Sequence, residues 1–299
     1  MKTGEAENWM KLQLRKLYEE GESEQIASMV LEAVTGLDKT VRMTRREEPL
    51  NVHQLHHLTE IEQRLQQHEP VQYILGEAWF ADMKLFVDKS VLIPRPETEE
   101  LVEWIIKDVK AKGLNVFEKG ATEADQTTML KILDVGTGSG CIALALKKKM
   151  PKAEVWGCDI SEEALNIARR NGSSLEIRVD FQGADFLDEA QHQLLPSVDI
   201  VVSNPPYVPE KDKETMHPNV LQYEPHTALF VPNDDTLIFY RALAQFGKKR
   251  LHHGGNIYME IHESLGKEVA DLFTAEGYKE IEIKTDMQGK ERMVRATLT

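Results

Sequence analysis

The chain has 299 residues, 41% hydrophobic and 29% charged, with a formal net charge of -14. That length holds one large domain and a small one, the composition is ordinary for a globular protein, and the acidic balance repels phosphate backbones, against non-specific nucleic-acid binding. No run of apolar residues is long enough for a membrane helix, the first five residues lack the apolar core of an export signal, and Cys141 and Cys158 show neither metal-ligand spacing nor a disulfide framework, which together point to the cytoplasm.

Helical spacing opens the chain. Trp9, Leu12, Leu17 and Tyr18 mark a first helix. Ser23 caps a second, with Ile26, Met29, Val30 and Ala33 on one face and Gly36 as its stop. Asn51 caps a third that carries Leu55, Leu58, Ile61 and Leu65 and ends before Pro70. Their apolar stripes bury against one another as a small helical domain over residues 1–70. His53, His56 and His57 read as a solvated helix face, and the basic runs at 42–46, 147–149 and 248–250 as solvated helix ends. Residues 71–93 then alternate, are rich in β-branched and aromatic side chains, and break at Gly76 and Asp88, as a β-hairpin linking two domains would. Pro94-Arg95-Pro96 ends that pattern. A helix follows from Glu97, with Leu101, Trp104 and Ile105 facing inward. Arg95 and Glu97 read equally as pocket lining or as members of a structural ion pair. Residues 111–129 are polar and unpatterned, as a loop is.

From Leu130 onward strands and helices alternate. Strands are expected at 131–135, 154–160, 177–182, 198–203 and 256–261, with helices at 140–149, 161–171, 236–251 and 264–274. His252-His253 sits at the end of one of these helices, where a cation suits the dipole. Two closing strands, 278–285 and 292–298, turn around Gly289 and must be antiparallel. This pattern gives an α/β fold over 94–299, a mostly parallel sheet with helices on both faces.

Two segments carry chemistry. Leu133-Asp134-Val135-Gly136-Thr137-Gly138-Ser139-Gly140 is a strand, a tight turn and a helix start, whose glycines let a ligand lie on bare backbone beside free N–H groups. Asp159, ending the next strand, stands where an acid binds ribose hydroxyls. The Gly-x-Gly-x-Gly spacing differs from the dinucleotide fingerprint Gly-x-Gly-x-x-Gly, so S-adenosylmethionine is the expected ligand, with a nicotinamide dinucleotide and a plain structural turn as the alternatives. Phe186 either offers a ring face to adenine or is a core phenylalanine. Further on, Asn204-Pro205-Pro206-Tyr207 follows a buried strand. The Asn204 side-chain oxygen and the Pro205 carbonyl can each accept one N–H of a planar NH2 group, which aims its lone pair at a methyl donor. The prolines fix φ and remove donors, and Tyr207 can pack on the amide. Cys141 and Cys158 flank this region as small packing residues.

With these residues in place, the chain resembles the protein-(glutamine-N5) methyltransferase family that modifies peptide chain release factors. The specific marks are Val71-Gln72-Tyr73-Ile74-Leu75-Gly76, Leu92-Ile93-Pro94-Arg95-Pro96-Glu97-Thr98-Glu99, the glycine turn, Asn204-Pro205-Pro206-Tyr207, and Tyr223-Glu224-Pro225 followed by Ala228-Leu229. The resemblance implies a helical N-terminal domain that helps grip the protein substrate, and a seven-stranded, Rossmann-like class I methyltransferase domain. It implies that Gly136, Thr137, Gly138, Ser139, Gly140, Asp159, Phe186 and Asn204 bind S-adenosyl-L-methionine. Asn204, Pro205, Pro206 and Tyr207 would bind the glutamine of a release factor's Gly-Gly-Gln motif, with Asn204, Pro205 and Tyr207 catalytic and no metal. A ribosomal-protein glutamine, adenine in nucleic acid, and a binding module without catalysis stand as alternatives. A monomer acting without nucleic acid or membrane is expected. Phe186 stands where the family has tryptophan, Glu260-Ile261-His262 departs from the usual Glu-Ile-Gly, and Pro232-Asn233-Asp234 replaces a glycine-rich loop.

Overall fold

The computed structural model describes residues 1–117 and 129–299, so most of the loop expected at 111–129 lies outside the described residues. Two compact units form, one from Met1–Glu77 with Met216–Tyr223, the other from Ala78–Thr215 with Glu224–Thr299.

The first unit is helical: α1 (Thr3–Leu14), α2 (Glu20–Thr35), α3 (Lys39–Thr44), α4 (Val52–Leu65) and α5 (Val71–Leu75). Its core joins Ala6, Met10 and Leu14 of α1 to Val30 and Leu31 of α2 and to Leu58, Ile61 and Leu65 of α4. Thus α1 buries a different stripe from the expected one, and Leu12 is exposed. The small Ala6 and the flexible Met10 fit the close approach of α2, where Trp9 only borders the core. Ser23 is not a cap: α2 begins a turn earlier, and the Ser23 hydroxyl donates to the Glu20 carbonyl. Gly36 does end α2 at φ +69°, and Asn51 does cap α4, closing a reciprocal pair with Gln54. Arg42, expected in solvent, is buried, because its guanidinium donates to the Leu37 carbonyl and to the Ser28 carbonyl and hydroxyl. His53, His56 and His57 are exposed, as expected.

The hairpin expected over 71–93 is shorter. Pro70 starts α5 and Gly76 closes it at φ +67°, so 71–75 is helical. Only β1 (Ala78–Phe80) and β2 (Met83–Leu85) pair, around Ala81 and Asp82 at φ +46° and +58°, the signature of a two-residue hairpin turn.

The second unit continues with α6 (Pro96–Ala111), β3 (Lys131–Val135), α7 (Cys141–Lys149), β4 (Glu154–Asp159), α8 (Glu162–Ser174), β5 (Asp180–Gly183), β6 (Val198–Ser203) and β7 (Val208–Pro209). After α9 (Pro218–Tyr223), which belongs to the first unit, come β8 (Phe230–Val231), α10 (Ile238–Arg250), β9 (Leu251–Glu260), α11 (Gly266–Ala275), β10 (Lys279–Thr285) and β11 (Glu291–Thr297). Seven strands form one sheet in the order β10-β11-β9-β6-β3-β4-β5, parallel from β9 to β5 and antiparallel at β10 and β11. Alternate residues face opposite layers, as the two-residue period of a strand requires. Ile132, Ile200, Val202 and Tyr258 pack under α6 and α7; Leu133, Val201, Ile257 and Met259 pack under α10 and α11. Each such aliphatic side chain contributes about 1.5–3 kcal/mol by leaving water. The strand expected at 256–261 starts at Leu251, directly after α10, so His252 lies on a strand with its Nδ1 against Asp199 Oδ1 at 2.8 Å. The expected helix-end role of His252-His253 is therefore corrected.

Candidate active site

The strand order reverses between β3 and β6, and open α/β sheets hold ligands at the carboxyl ends of the strands flanking such a point. Val135 pairs with Cys158 and with Ser203, and Ser203 pairs with Met259. The next residues of these strands, Gly136, Asp159, Asn204 and Glu260, therefore end the sheet side by side.

One half of this edge is backbone. Gly136, Gly138 and Gly140 have φ of +70°, +54° and +80°, a region that strains any side chain. A Cβ added at Gly136 or Gly138 would meet nothing within 4 Å, so bare backbone borders open space there. The turn is pinned from the neighbouring strand: the Gly136 and Thr137 N–H groups donate to the Cys158 carbonyl at 2.9 and 3.0 Å. Gly157 leaves room for this, since a Cβ there would lie 2.7 Å from Thr137 Oγ1. Asp159 Oδ2 accepts the Gly138 N–H and Asp159 Oδ1 the Ser161 N–H, each at 2.9 Å. Burial pushes the Asp159 carboxyl above the usual range, against these N–H groups. Asp134 lies beneath the turn, fully buried; its Oδ2 accepts the Thr137 hydroxyl at 2.7 Å and the Ala143 N–H at 3.2 Å. Burial pushes it up to about 7. Buried Asn171 braces the turn from behind, donating to the carbonyls of Ser139 and Phe86 at 2.9 and 3.0 Å and accepting the Phe86 N–H. Burial also raises both thiols, Cys141 to about 12 and Cys158 beyond, which keeps them neutral packing groups.

The other half is side chain. Asn204 Nδ2 donates to Thr98 Oγ1 at 3.1 Å, and Thr98 Oγ1 donates to Glu260 Oε2 at 2.7 Å. The Tyr207 hydroxyl donates to Glu260 Oε1 at 2.9 Å. Glu260 is 1% exposed; burial raises its carboxyl, while Thr98, Tyr207 and the positive Arg292 oppose the rise. Burial and the Glu260 carboxylate keep Tyr207 a protonated phenol. Among the described residues, neither Asn204 Oδ1 nor the Pro205 carbonyl accepts a hydrogen bond. Downstream, the Val208 N–H donates to the Leu229 carbonyl at 2.9 Å, so β7 and β8 hold the far end of the proline segment.

The structure thus brings Asn204 and Tyr207 onto one relay and the glycine turn onto Asp159. Phe186 follows β5 at the same edge, but its ring is only 6% exposed and packs against His192 and Phe246 at 4.8 and 5.2 Å. Arg95 forms an ion pair with buried Glu224 at 2.5 Å, and Glu224 also accepts the Ile93 N–H at 3.3 Å. Glu97 meets Gln288 instead, at 3.5 Å. Thr98, Glu260, Glu224 and Asn171 carry no role in the sequence reading. The first three lie in segments compared with the family pattern, but no local feature of the sequence joins them to Asn204 or to one another. Ile160 and Leu187, exposed by 66% and 41%, directly follow Asp159 and Phe186.

Comparison with known proteins agrees with this geometry. A family model described as methyltransferase small domain matches residues 121–223, and one described as PrmC N-terminal domain matches residues 5–76. The release factor glutamine methyltransferase of Flavobacterium psychrophilum is 39% identical over 283 residues, 94% of this chain and 94% of its own length. Proteins of the same name from Bacteroides thetaiotaomicron and Streptococcus pneumoniae are 42% and 37% identical, covering 78% and 93% of this chain and 77% and 93% of their own lengths. Among solved structures, the hMettl16 catalytic domain in complex with MAT2A 3'UTR hairpin 6 aligns with a TM-score of 0.53 at 14% identity, covering 73% of this chain and 75% of that one; the likeness is one of fold.

Proposed function

This chain belongs to the release factor glutamine methyltransferase family, and we propose that the edge built from Gly136, Asp159 and Asn204 is where it methylates the glutamine of a release factor's Gly-Gly-Gln motif. The protein is an S-adenosylmethionine-dependent methyltransferase acting on glutamine of release factors. The observation that carries the site assignment is a pair of acceptors, Asn204 Oδ1 and the Pro205 carbonyl, that take no hydrogen bond from the described residues, beside a glycine turn that faces open space.

The cradle fits the donor. Bare backbone at Gly136 and Gly138 gives room for it, and Thr137, Ser139 and Gly140 complete the turn around it. Asp159, held by the Gly138 and Ser161 N–H groups, would supply the acceptor for ribose hydroxyls. Asp185 and Phe186 would lie beside the adenine, next to the exposed Ile160 and Leu187. When bound, the donor supplies a sulfonium-activated methyl group.

The chain's own contribution lies on the acceptor side. An amide nitrogen is a poor nucleophile because its lone pair is shared with the carbonyl. Asn204 Oδ1 and the Pro205 carbonyl each take one N–H of the glutamine NH2, which fixes the nitrogen's orientation. The same acceptors stabilise the positive charge that develops on that nitrogen, and they are already in place, so nothing reorganises during the reaction. Pro205 and Pro206 contribute no N–H that could compete. Tyr207 packs on the planar amide. The proton becomes acidic only after attack, so this scheme uses no histidine or lysine base.

In the same reading residues 1–70 recognise the protein substrate, 71–93 link them to the catalytic domain at 94–299, and the enzyme acts as a cytoplasmic monomer. The net charge of -14 supports a protein substrate over nucleic acid. The test is mass spectrometry of a release factor incubated with the donor: one methyl group on the Gly-Gly-Gln glutamine is expected. An unmodified glutamine, or equal modification of adenine in DNA, would overturn the assignment.

A further inference from the structure

Thr98 and Glu260 touch neither acceptor atom of the glutamine pocket, yet both are buried, and both are tied to Asn204 through hydrogen bonds whose direction is set by chemistry. We infer that Thr98 and Glu260 are positioning residues that fix which end of the Asn204 amide faces the substrate. This rests on the glutamine-methylation reading above and deepens it.

A primary amide has two ends of similar size and opposite hydrogen-bonding character. If Asn204 turned over, its NH2 would face the NH2 of the glutamine, donor against donor, and the pocket would repel what it has to hold. Nothing in a lone asparagine prevents that turn. The relay does. A carboxylate only accepts, so Glu260 requires the hydroxyls of both Thr98 and Tyr207 to point their hydrogens at it. Having given its one hydrogen to Glu260, Thr98 Oγ1 has only lone pairs left for Asn204. Asn204 must therefore present Nδ2 to Thr98, at 3.1 Å, and Oδ1 to the other side.

The components come from far apart in the chain. Thr98 lies in the first turn of α6, Asn204 after β6, and Glu260 at the end of β9. The register that pairs Ser203 with Met259 places Asn204 and Glu260 side by side. Glu260 is deeply buried without an ion pair among the described residues, and Tyr207 occupies its second oxygen. A buried carboxyl spanning two hydroxyls is a costly choice for packing alone, since an apolar side chain of that size avoids the desolvation. As the fixed end of a directional relay it has a use. Its partner Tyr207 is thereby held in the same act that orients Asn204.

The experiment compares Thr98→Val, Thr98→Ser and Glu260→Gln with the wild-type protein, using a release factor as substrate. Readouts are kcat, KM for the release factor, donor Kd by calorimetry, Kd for a Gly-Gly-Gln peptide without donor, and thermal midpoint. Valine keeps the shape and removes the hydroxyl; serine keeps the hydroxyl. Glutamine at 260 keeps the shape but can offer an NH2 to Thr98, which lets the relay reverse. Thr98→Val and Glu260→Gln should lower kcat/KM by about 30–100-fold and weaken the peptide while the donor Kd stays within about twofold; Thr98→Ser should remain within about threefold of wild type. Wild-type turnover in Thr98→Val would overturn the relay. So would a loss in Thr98→Ser as large as in Thr98→Val, or a donor Kd weakened in step with turnover, since either marks a packing role. Wild-type protein that leaves the glutamine unmodified would instead overturn the function reading itself.

Discussion

The two halves of the site are built on different principles. The donor half uses main chain: three glycines at positive φ, N–H groups and one carboxylate that accepts two of them. The acceptor half uses side chains drawn from α6, the end of β6 and the end of β9. A backbone cradle needs only a short stretch of sequence and tolerates little at a few positions. A side-chain relay needs distant elements in register, and its parts fail together. The contrast predicts different kinetic faults on the two sides.

The largest effect belongs to the acceptor half. Asn204→Ala removes an acceptor used most strongly as charge develops, so kcat should fall by about a thousandfold, while calorimetry should find donor affinity only partly reduced. A donor Kd lost to the same degree as turnover would merge the two halves into one.

Next comes the donor half. Gly138 has φ +54° and open space in front of it, so Gly138→Ala meets no clash but must hold a left-handed backbone. That costs about 1–2 kcal/mol, and either distorts the turn or narrows the cradle. The donor KM should rise about tenfold with kcat at saturation nearly unchanged. A fall in kcat with unchanged donor KM would show that the turn acts on the chemical step.

The smallest effect is on stability. Asp134 rises to about 7 in the folded protein because burial favours its neutral form. A raised acid contributes stability fully below its unfolded value near 3.8, and this contribution is lost as pH rises through about 7. Asp134→Asn removes the titration and keeps the shape and an acceptor for the Thr137 hydroxyl. Its stability relative to wild type, read from thermal midpoints, should therefore climb between pH 4 and 8, by at most about 4 kcal/mol. A difference that stays flat across that range would place the Asp134 titration elsewhere.

The same contrast explains what the sequence made legible. The α/β order, all seven sheet strands, the glycine turn with Asp159, and Asn204-Pro205-Pro206-Tyr207 are local patterns, and local patterns can be read in line. The relay could not be, because the partners of Asn204 and Glu260 stand 106 and 162 positions away from them along the chain. Smaller departures share a cause. Spacing alone marked Trp9 and Leu12 as the buried face of α1, but the neighbour's shape chose Ala6, Met10 and Leu14. Alternation at 71–75 suggested a strand, but Pro70 and Gly76 set the length of one helical turn. Its place in a basic run marked Arg42 as solvated, though carbonyls of α2 and of the loop after it gave its guanidinium an interior use.

The helical unit is discontinuous: α9 returns to it after residues 78–215 have been spent elsewhere, and the peptide bond between Tyr223 and Glu224 passes from one unit to the other. Tyr223 donates to the Gln67 carbonyl at 2.9 Å and His217 sets its ring edge-on to His68 at 5.8 Å, while Glu224 is sealed against Arg95. An amino-terminal fragment cut at residue 77 therefore leaves with a wound where α9 belonged, and the excised remainder carries an orphaned helical turn. Dissection of this protein into working pieces has to follow its spatial parts, by grafting 216–223 back onto the fragment, and not the linear order of synthesis.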